Sequence, residues 1–567
     1  MKNRTSSHFF ILVLIVTVTA ISHYSIYYGG LIRGYETSPL TAFRNLALLS
    51  LLAILPIFLK HVFKYKGSWT VFTTAVLLFS IGLTIQYRLF SDPEYTSKNE
   101  ARTDAIASKM KTLQLHYIQQ NYSPEKKQSM GLPPTPPSDV DLSQETPRPS
   151  TDTLPQVLVS GNTVNPILAI IGMMFAFLLG RRERVLDFLQ RNGFLLVLLT
   201  LVPLLAAAVT SHAGKALGNM TPWEPAKVPF LIGFAAILAV LYKNLARTYW
   251  GLPRAKDVLP LIVMAVLPFV PFFVLKDFGQ MMVFSSVYAT LYLVAVRRFS
   301  QRFVLIGSVM LVLSVLIVGA LPVNTQEKIP LLPTVAGPVK KVLPNRIQQR
   351  FHLWLDGFDP PTPDTSWWQK DYDDYYKRLL VKHPEVAKEL EDDPENMQKK
   401  INVDAWFDVL AFQPAQATFG IASGGTTGRG LGLGYPELIP VSDSDYVFAA
   451  IGEELGLFGG LLLTLALIVF VSAGVRTALD CRDMFSKLCS IGLVAFIGFQ
   501  ALVNIGGITR ALPMTGITLP FVSHGGFSLI TSFFMLGMLM AFSHRNAVDR
   551  QINELQMTPQ ESSLNLP

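Results

Sequence analysis

Ser442-Asp-Ser-Asp445-Tyr-Val-Phe-Ala-Ala-Ile-Gly452-Glu-Glu-Leu-Gly456 is the stretch whose reading decides the fold. It begins polar and runs into a hydrophobic segment of roughly thirty residues, long enough to cross a bilayer. Asp443 and Asp445 fall just outside that segment, and Glu453 and Glu454 lie about two helical turns inside it. Carboxylates at membrane depth are costly, so they mark a functional site. Ala449, Gly452, Gly456 and Gly459 recur at three- and four-residue spacing, which lets another helix come close. The stretch reads as a tightly packed transmembrane helix with an acidic end.

The rest of the chain has the same character. Of 567 residues, 50% are hydrophobic and only 16% are charged, where a soluble chain would carry about a quarter. About twelve apolar runs are long enough to span a bilayer: near 9–28, 46–63, 69–87, 162–180, 193–211, 228–246, 258–275, 279–296, 302–320, 446–474, 486–508 and 519–543. The fold class is therefore all-α and polytopic. The first run lacks a small-residue cleavage site and reads as a retained helix. The net charge of +8 comes from clusters such as Lys60/Lys64/Lys66, Arg181/Arg182/Arg184 and Arg297/Arg298/Arg302. With the N-terminus inside, these fall on one side, which places both termini in the cytoplasm. The basic balance follows from topology and calls for no nucleic acid. Cys481 and Cys489 read as free thiols beside a cytoplasmic loop. Scattered histidines and two cysteines give no metal-site spacing.

Several motifs carry a resemblance. Pro440-Val-Ser-Asp443-Ser-Asp445-Tyr446, then Gly452-Glu-Glu-Leu-Gly456, resembles the segment before the eighth core helix of the SEDS proteins (shape, elongation, division and sporulation). That pattern is Pro-Glu-Ala-His-Thr-Asp-Phe, then Gly-Glu-Glu-Leu-Gly. The run from Gln416 to Gly432 resembles the family's glycine-rich Gln…Ser-Gly-Gly-Leu-Phe-Gly-Lys-Gly-Leu-Gly. Gly516-Ile-Thr-Leu-Pro-Phe-Val-Ser523-His524-Gly-Gly526 resembles Gly-Leu-Thr-Leu-Pro-Phe-Ile-Ser-Tyr-Gly-Gly. Thr221-Pro-Trp-Glu224-Pro-Ala-Lys227, Lys276-Asp277-Phe-Gly-Gln280 and Arg350…Trp354-Leu-Asp356 match more loosely. The chain departs from the pattern where Asp443 replaces His and His524 replaces Tyr.

The resemblance covers 69–545 in register and implies a ten-helix core. Residues 1–68 add two transmembrane helices, an anchor or packing appendage. Residues 90–161 form a loop whose first half, around 101–120, reads as a polar helix. Its second half, with Pro133, Pro134, Pro136 and Pro137, has the composition of a disordered linker. The largest loop, 321–445, carries an insertion at about 360–405. Its Trp367, Trp368, Tyr372, Tyr375 and Tyr376 read either as a partner or bilayer contact or as the core of a small subdomain. Residues 546–567 are a polar cytoplasmic tail.

SEDS proteins are peptidoglycan glycosyltransferases that polymerise lipid II and work with a class B penicillin-binding protein. The resemblance implies an inverting glycosyltransferase at the outer face of the bacterial cytoplasmic membrane. It implies Asp445 as the base that deprotonates the acceptor hydroxyl, with Asp443 beside it raising its pKa. Lys227 with Arg510 or Arg429 would contact the departing pyrophosphate, and Glu224, Ser523 and His524 would line the substrate site. Asp277, Glu453, Glu454 and Asn504 would support it. No cofactor is required, since the pyrophosphate ester is already activated; assistance from a divalent cation stays open. The residues also allow plainer roles. Asp445 suits a helix N-cap near Tyr446, Asp277 suits the cap of a tight hairpin, Glu224 and Lys227 suit a helix-end ion pair, and His524 suits a hydrogen-bonded structural residue. A flippase for lipid-linked precursors, or another polytopic glycan polymerase, are the alternative classes.

Overall fold

A computed structural model describes residues 2–33, 35–92, 95, 150, 152–210, 223–245, 248–249, 252–253, 259, 261, 263–264, 267–268, 271–272, 277–296, 345–355 and 359–557. These are helices and loops, with one two-residue ribbon that pairs Thr248 with Pro253 and Tyr249 with Leu252. Among the described residues eight helices are long and apolar enough to cross a membrane, or nine if Glu183–Arg191 and Gly193–Ala206, bent by 76°, form one span. The chain is a multi-pass membrane protein. Among the described residues the principal helices are α1 (Lys2–Ile32), α2 (Pro39–Val62), α3 (Thr70–Ser91), α4 (Gly161–Gly180), α5 (Gly193–Thr210), α6 (Trp223–Leu245), α7 (Phe278–Ala295), α8 (Asn345–Leu355), α9 (Gln369–Lys382), α10 (Glu385–Asp392), α11 (Pro394–Trp406), α12 (Phe412–Gly424), α13 (Val447–Asp480), α14 (Met484–Ile508) and α15 (Gly526–Met557). The run expected near 279–296 is α7, a shorter apolar helix. The run at 302–320, most of 258–275, the polar segment 101–120, the prolines at 133–137 and the end of the tail lie outside the described residues.

Local chemistry sets the helix starts. Ser38 accepts a hydrogen bond from the Thr41 N–H at 3.2 Å with Pro39 in the first turn of α2, and Asp483 accepts from the Ser486 N–H at 2.7 Å before α14. The bundle packs α4 along α15, α5 along α6, and α14 against α6, α7 and α13, with α1 and α2 resting on α3. One apolar core runs through these helices.

The helix that organises the sequence is broken. Gly456, with φ 66° and ψ −162°, interrupts α13. A break at bilayer depth would leave backbone groups bare, which lipid does not tolerate. Here the glycine-rich loop after α12 supplies the partners. The N–H groups of Arg429 and Gly430 donate to the Glu453 and Glu454 carbonyls at 2.9 and 3.0 Å. The N–H groups of Leu457 and Phe458 donate to the Gly425 and Thr426 carbonyls at 2.9 and 3.2 Å. Gly428, itself at φ +86°, lies against the backbone of Glu454 and Gly456, where a Cβ would collide. The sequence favours close approach of this loop to a ligand; the backbone it approaches is that of α13.

The insertion is a self-packed subdomain. Trp368, Tyr372, Ile401, Ala405, Trp406 and Ala411 form its own core, with Trp367, Tyr375 and Tyr376 partly buried against them. Trp368 and Trp406 meet edge to face at 5.3 Å, and Trp368 Nε1 donates to Asn402 Oδ1 at 3.2 Å. The aromatic run therefore reads as a small core, not as open surface. From α11 the chain continues through a π-helical turn, Phe407–Ala411, into α12 without leaving helical backbone. Pro414 accounts for the wide turn: its ring crowds the carbonyl four residues earlier and it has no N–H to donate.

Candidate active site

Asp445 occupies the last turn before α13. Tyr446 holds the N-cap position and no side chain caps the helix there, so Asp445 does not serve as the cap. Its carbonyl accepts from Asn504 Nδ2 at 2.9 Å, and the same amide donates to the Ile517 carbonyl at 2.5 Å. Ser523 Oγ donates to the Ser444 carbonyl at 2.6 Å and accepts from the Leu519 N–H at 2.7 Å. Thus α14 and the 516–526 segment clamp the Asp445 loop through backbone groups. A Cβ on Gly516 would lie 3.4 Å from Asp445 Oδ2 and 3.8 Å from Arg350 Nη2, so carboxylate and guanidinium face the same glycine. Arg350 is fixed by donating to the Thr515 carbonyl at 3.1 Å. Burial pushes the Asp445 carboxyl up to about 6; Asp443 and Asp277 add to the rise and Arg350 opposes it.

Asp277 caps α7 by accepting from the Gln280 N–H at 3.2 Å. Burial raises its pKa, against the pull of Arg350 and Lys227. Capping and a place in the site are thus compatible. Lys227 is fully enclosed. It donates to Glu224 Oε1 at 2.7 Å and to Gln500 Oε1 at 2.8 Å, using two of its three protons. Gln500 Nε2 in turn donates to the Thr518 carbonyl and hydroxyl at 3.0 and 3.1 Å. The Glu224–Lys227 ion pair is therefore present, and it braces α6 against α14 and the 516–526 segment.

The other candidates lie elsewhere. Arg510 Nη2 donates to the Leu353 carbonyl at 3.3 Å, and its own carbonyl accepts from Trp354 Nε1 at 3.0 Å; it fastens the end of α8. Arg429 is exposed on the loop stitched to α13. Glu453 accepts from the Tyr435 N–H at 2.9 Å. Glu454 belongs to a buried charge network. Arg88 bonds Glu454 at 3.1 Å, Asp92 at 3.0 Å and Glu437 at 3.0 Å. Arg33, from the N-terminal extension, pairs with Glu437, donates to the Gly434 carbonyl at 2.7 Å and lies 4.6 Å over the Tyr435 ring. The extension is thus built into the core rather than appended to it.

Asp443 has partners of its own. His524 Nδ1 donates to Asp443 Oδ2 at 3.0 Å, the His524 N–H donates to the Asp443 carbonyl at 2.7 Å, and the Tyr95 hydroxyl donates to Asp443 Oδ1 at 2.8 Å. Burial alone would raise Asp443, but the bonds from His524 and Tyr95 outweigh it and hold the carboxyl below its ordinary value. Both loops that meet here carry a non-glycine residue in left-handed backbone, Val441 at φ 56° and Phe521 at φ 65°. Each such residue costs on the order of 1–3 kcal/mol and persists only where its surroundings hold it.

Three site residues escape the sequence reading: Arg350, Gln500 and Tyr95. Arg350 carries a signal, standing at the head of the Arg…Trp-Leu-Asp match. Gln500 and Tyr95 carry none, since each meets its partner only through the tertiary fold. Among the described residues no group of three or more His, Cys, Asp or Glu could hold a metal ion.

The family model for cell cycle proteins of the FtsW/RodA/SpoVE type matches residues 401–548, which include α12 to α14, the Asp445 loop and the 516–526 segment. A peptidoglycan glycosyltransferase RodA from Mycobacterium bovis is 28% identical over 394 residues, 66% of this chain and 68% of that protein. The stage V sporulation protein E of Bacillus subtilis is 37% identical over 145 residues, 25% of this chain and 40% of that protein. The crystal structure of RodA from Thermus thermophilus overlays on 85% of this chain and 97% of its own, with 15% identity and a TM-score of 0.41. The matched block holds the clamp around Asp445 and the break in α13, and across it the chain is similar to FtsW, RodA and SpoVE proteins.

Proposed function

We infer that this chain is a peptidoglycan glycosyltransferase, and we propose that it polymerises lipid II at the outer face of the bacterial cytoplasmic membrane. The carrying observation is the placement of Asp445: a carboxylate at the mouth of a membrane helix, clamped by its backbone, facing Arg350 across Gly516. Asp445 takes the proton of the acceptor sugar hydroxyl as that oxygen attacks the anomeric carbon of the donor. The bond to the pyrophosphate breaks, and the leaving group departs with the electron pair. A single displacement inverts the α-linked donor to a β-linked glycan. Arg350 supplies positive charge beside the base, while Lys227, held by Glu224 and Gln500, braces the floor of the site. In this orientation both termini lie in the cytoplasm, as the positive-inside distribution favours. A class B penicillin-binding protein is the expected partner, contacting membrane helices and the 359–411 subdomain.

The test is polymerisation of lipid II by the purified full chain, alone and with a co-expressed partner. Asp445→Asn keeps size and most hydrogen bonding but cannot accept the proton. It should fold, bind lipid II and lose about 10²–10⁴ of the rate. Near wild-type polymerisation in Asp445→Asn or Asp445→Ser would remove the base assignment, and failure of the wild-type protein to polymerise under both conditions would remove the reaction.

A further inference from the structure

We propose that Gln280, Asn504 and Thr515 form a saccharide subsite beside Asp445, in which their side-chain oxygens accept hydrogen bonds from the hydroxyl and acetamido groups of the acceptor sugar. This deepens the reading of Asp445 as the base and rests on it.

Buried polar side-chain atoms nearly always have a hydrogen-bond partner, and each exception asks for one. Among the described residues the exceptions are Gln280 Oε1, Trp406 Nε1, Ser442 Oγ, Asn504 Oδ1, Thr515 Oγ1 and Arg545 Nη1. Three of these, on Gln280, Asn504 and Thr515, belong to residues tied by contact to Asp445 and its neighbours. Asn504 Nδ2 donates to the carbonyls of Asp445 and Ile517, which fixes the amide's orientation and leaves Oδ1 as an acceptor without a donor. Thr515 gives its carbonyl to Arg350 at 3.1 Å and precedes Gly516, the glycine that Asp445 and Arg350 both face. The Gln280 N–H donates to Asp277 at 3.2 Å. Gly279, beside it, packs so closely on Thr515 that a Cβ there would lie 2.7 Å from the Thr515 Cβ. The charge of Arg350 acts on both Asp277 and Asp445. The first turn of α7, the last turns of α14 and the 515–517 segment therefore meet at one place, and each brings an oxygen that no donor reaches.

The chemistry of these atoms selects the ligand. The two amide oxygens can only accept, the threonine hydroxyl can accept, and the ionised carboxylates of Asp277 and Asp445 accept as well. A group that fits here must bring donors. A pyrophosphate offers acceptors alone and would meet two carboxylates, so it does not suit the place. A sugar carries hydroxyl and acetamido N–H donors without charge, and it does. The Asp445 side chain is partly open, whereas the three oxygens are enclosed. The attacking hydroxyl thus meets the base at the open side, and neighbouring substituents of the same ring satisfy the enclosed oxygens. A site built to bond a substrate's polar groups discriminates strongly against molecules that lack them, because its own buried groups are then left bare.

The experiment measures the lipid II KM, the kcat and the unfolding midpoint of the full chain carrying Thr515→Val or Gln280→Met, changes that keep the shape and delete the oxygen. Neither oxygen has a partner in the fold, so its loss should leave the midpoint unchanged or raised. The KM for lipid II should rise roughly 3–10-fold, the worth of one hydrogen bond. Thr515→Ser, which keeps the hydroxyl, should hold the wild-type KM. If one variant does not accumulate, the other decides. A lowered midpoint with an unmoved KM would make the oxygens parts of the fold and overturn the proposal. An unmoved KM at an unmoved midpoint, the result for oxygens satisfied by trapped water, would overturn it too. A higher magnesium requirement, with the KM unmoved at saturating magnesium, would assign the oxygens to a cation and refute the sugar. Retained polymerisation in Asp445→Asn strikes the base assignment, whereas unmoved KM values alongside an inactive Asp445→Asn strike the subsite alone.

Discussion

Replacing Arg33 by Ala tests whether the N-terminal helices are part of the enzyme core. Arg33 and Arg88 are two cations facing three carboxylates, Asp92, Glu437 and Glu454. Glu437 is fully enclosed, and the Arg33 side chain is 13% exposed. Arg33→Ala leaves one cation against three carboxylates and strips a donor from the Gly434 carbonyl. Removing one partner of a buried pair costs about 3–5 kcal/mol, and a cation at the rim belongs at the lower end, about 3 kcal/mol. Arg33→Lys keeps the charge but loses the planar fork that reaches the carbonyl and Glu437 from separate nitrogens, so its loss should be nearer about 1 kcal/mol. For a chain of this size, about 3 kcal/mol corresponds to a fall of roughly 2–3 °C in the unfolding midpoint of the detergent-purified protein. The order wild type, then Lys, then Ala is expected in both midpoint and polymerisation rate. An Arg33→Ala protein within about 1 °C of wild type, with an unchanged rate, would refute the reasoning and return residues 1–68 to the status of an anchor.

Lys227→Met should abolish turnover at normal expression, since it breaks the brace between α6 and α14; a Glu224→Gln/Lys227→Met protein that still polymerises would show that the charge has no part in the reaction. Deleting 362–404 removes a subdomain with its own core, so the membrane bundle should stay folded while co-purification with the transpeptidase weakens; unchanged recovery of the partner would exclude the subdomain from that interface. Because a base must be ionised to accept a proton, and Asp445 is raised from 3.8 to about 6, polymerisation should be lost as pH falls through about 6. Loss only near pH 4, measured as initial rate against pH, would place the acidic limb on an ordinary carboxylate.

What could be read without the structure was local. The spans near 9–28, 46–63, 69–87 and 486–508 follow from hydropathy alone, and the Asp277 cap and the Glu224–Lys227 pair follow from three-residue spacing. The site's cross-links escaped because their partners are far apart in sequence. Lys227 meets Gln500 across 273 residues and Arg33 meets Glu437 across 404. Asp443 read as a second bare charge because its hydrogen-bond partners, His524 and Tyr95, come from either side of it in the chain. The glycine-rich loop was recognisable as a close-approach loop, but glycine spacing does not say what is approached. The aromatic run at 367–376 could be surface or core by composition, and only packing decides between them.

The unbroken helical path from Pro394 through the π-turn to Gly424 has a mechanical consequence. It is a strut on the order of 40 Å long. One end lies inside the aromatic subdomain, and the other runs into the loop that is sewn into the break of α13. A protein that grips the subdomain therefore holds a lever arm. Tilting that arm loads the four backbone hydrogen bonds at the break, a few residues from the Asp445 loop. Load placed on the subdomain is therefore carried along helical backbone to α13, the helix that begins at the Asp445 loop.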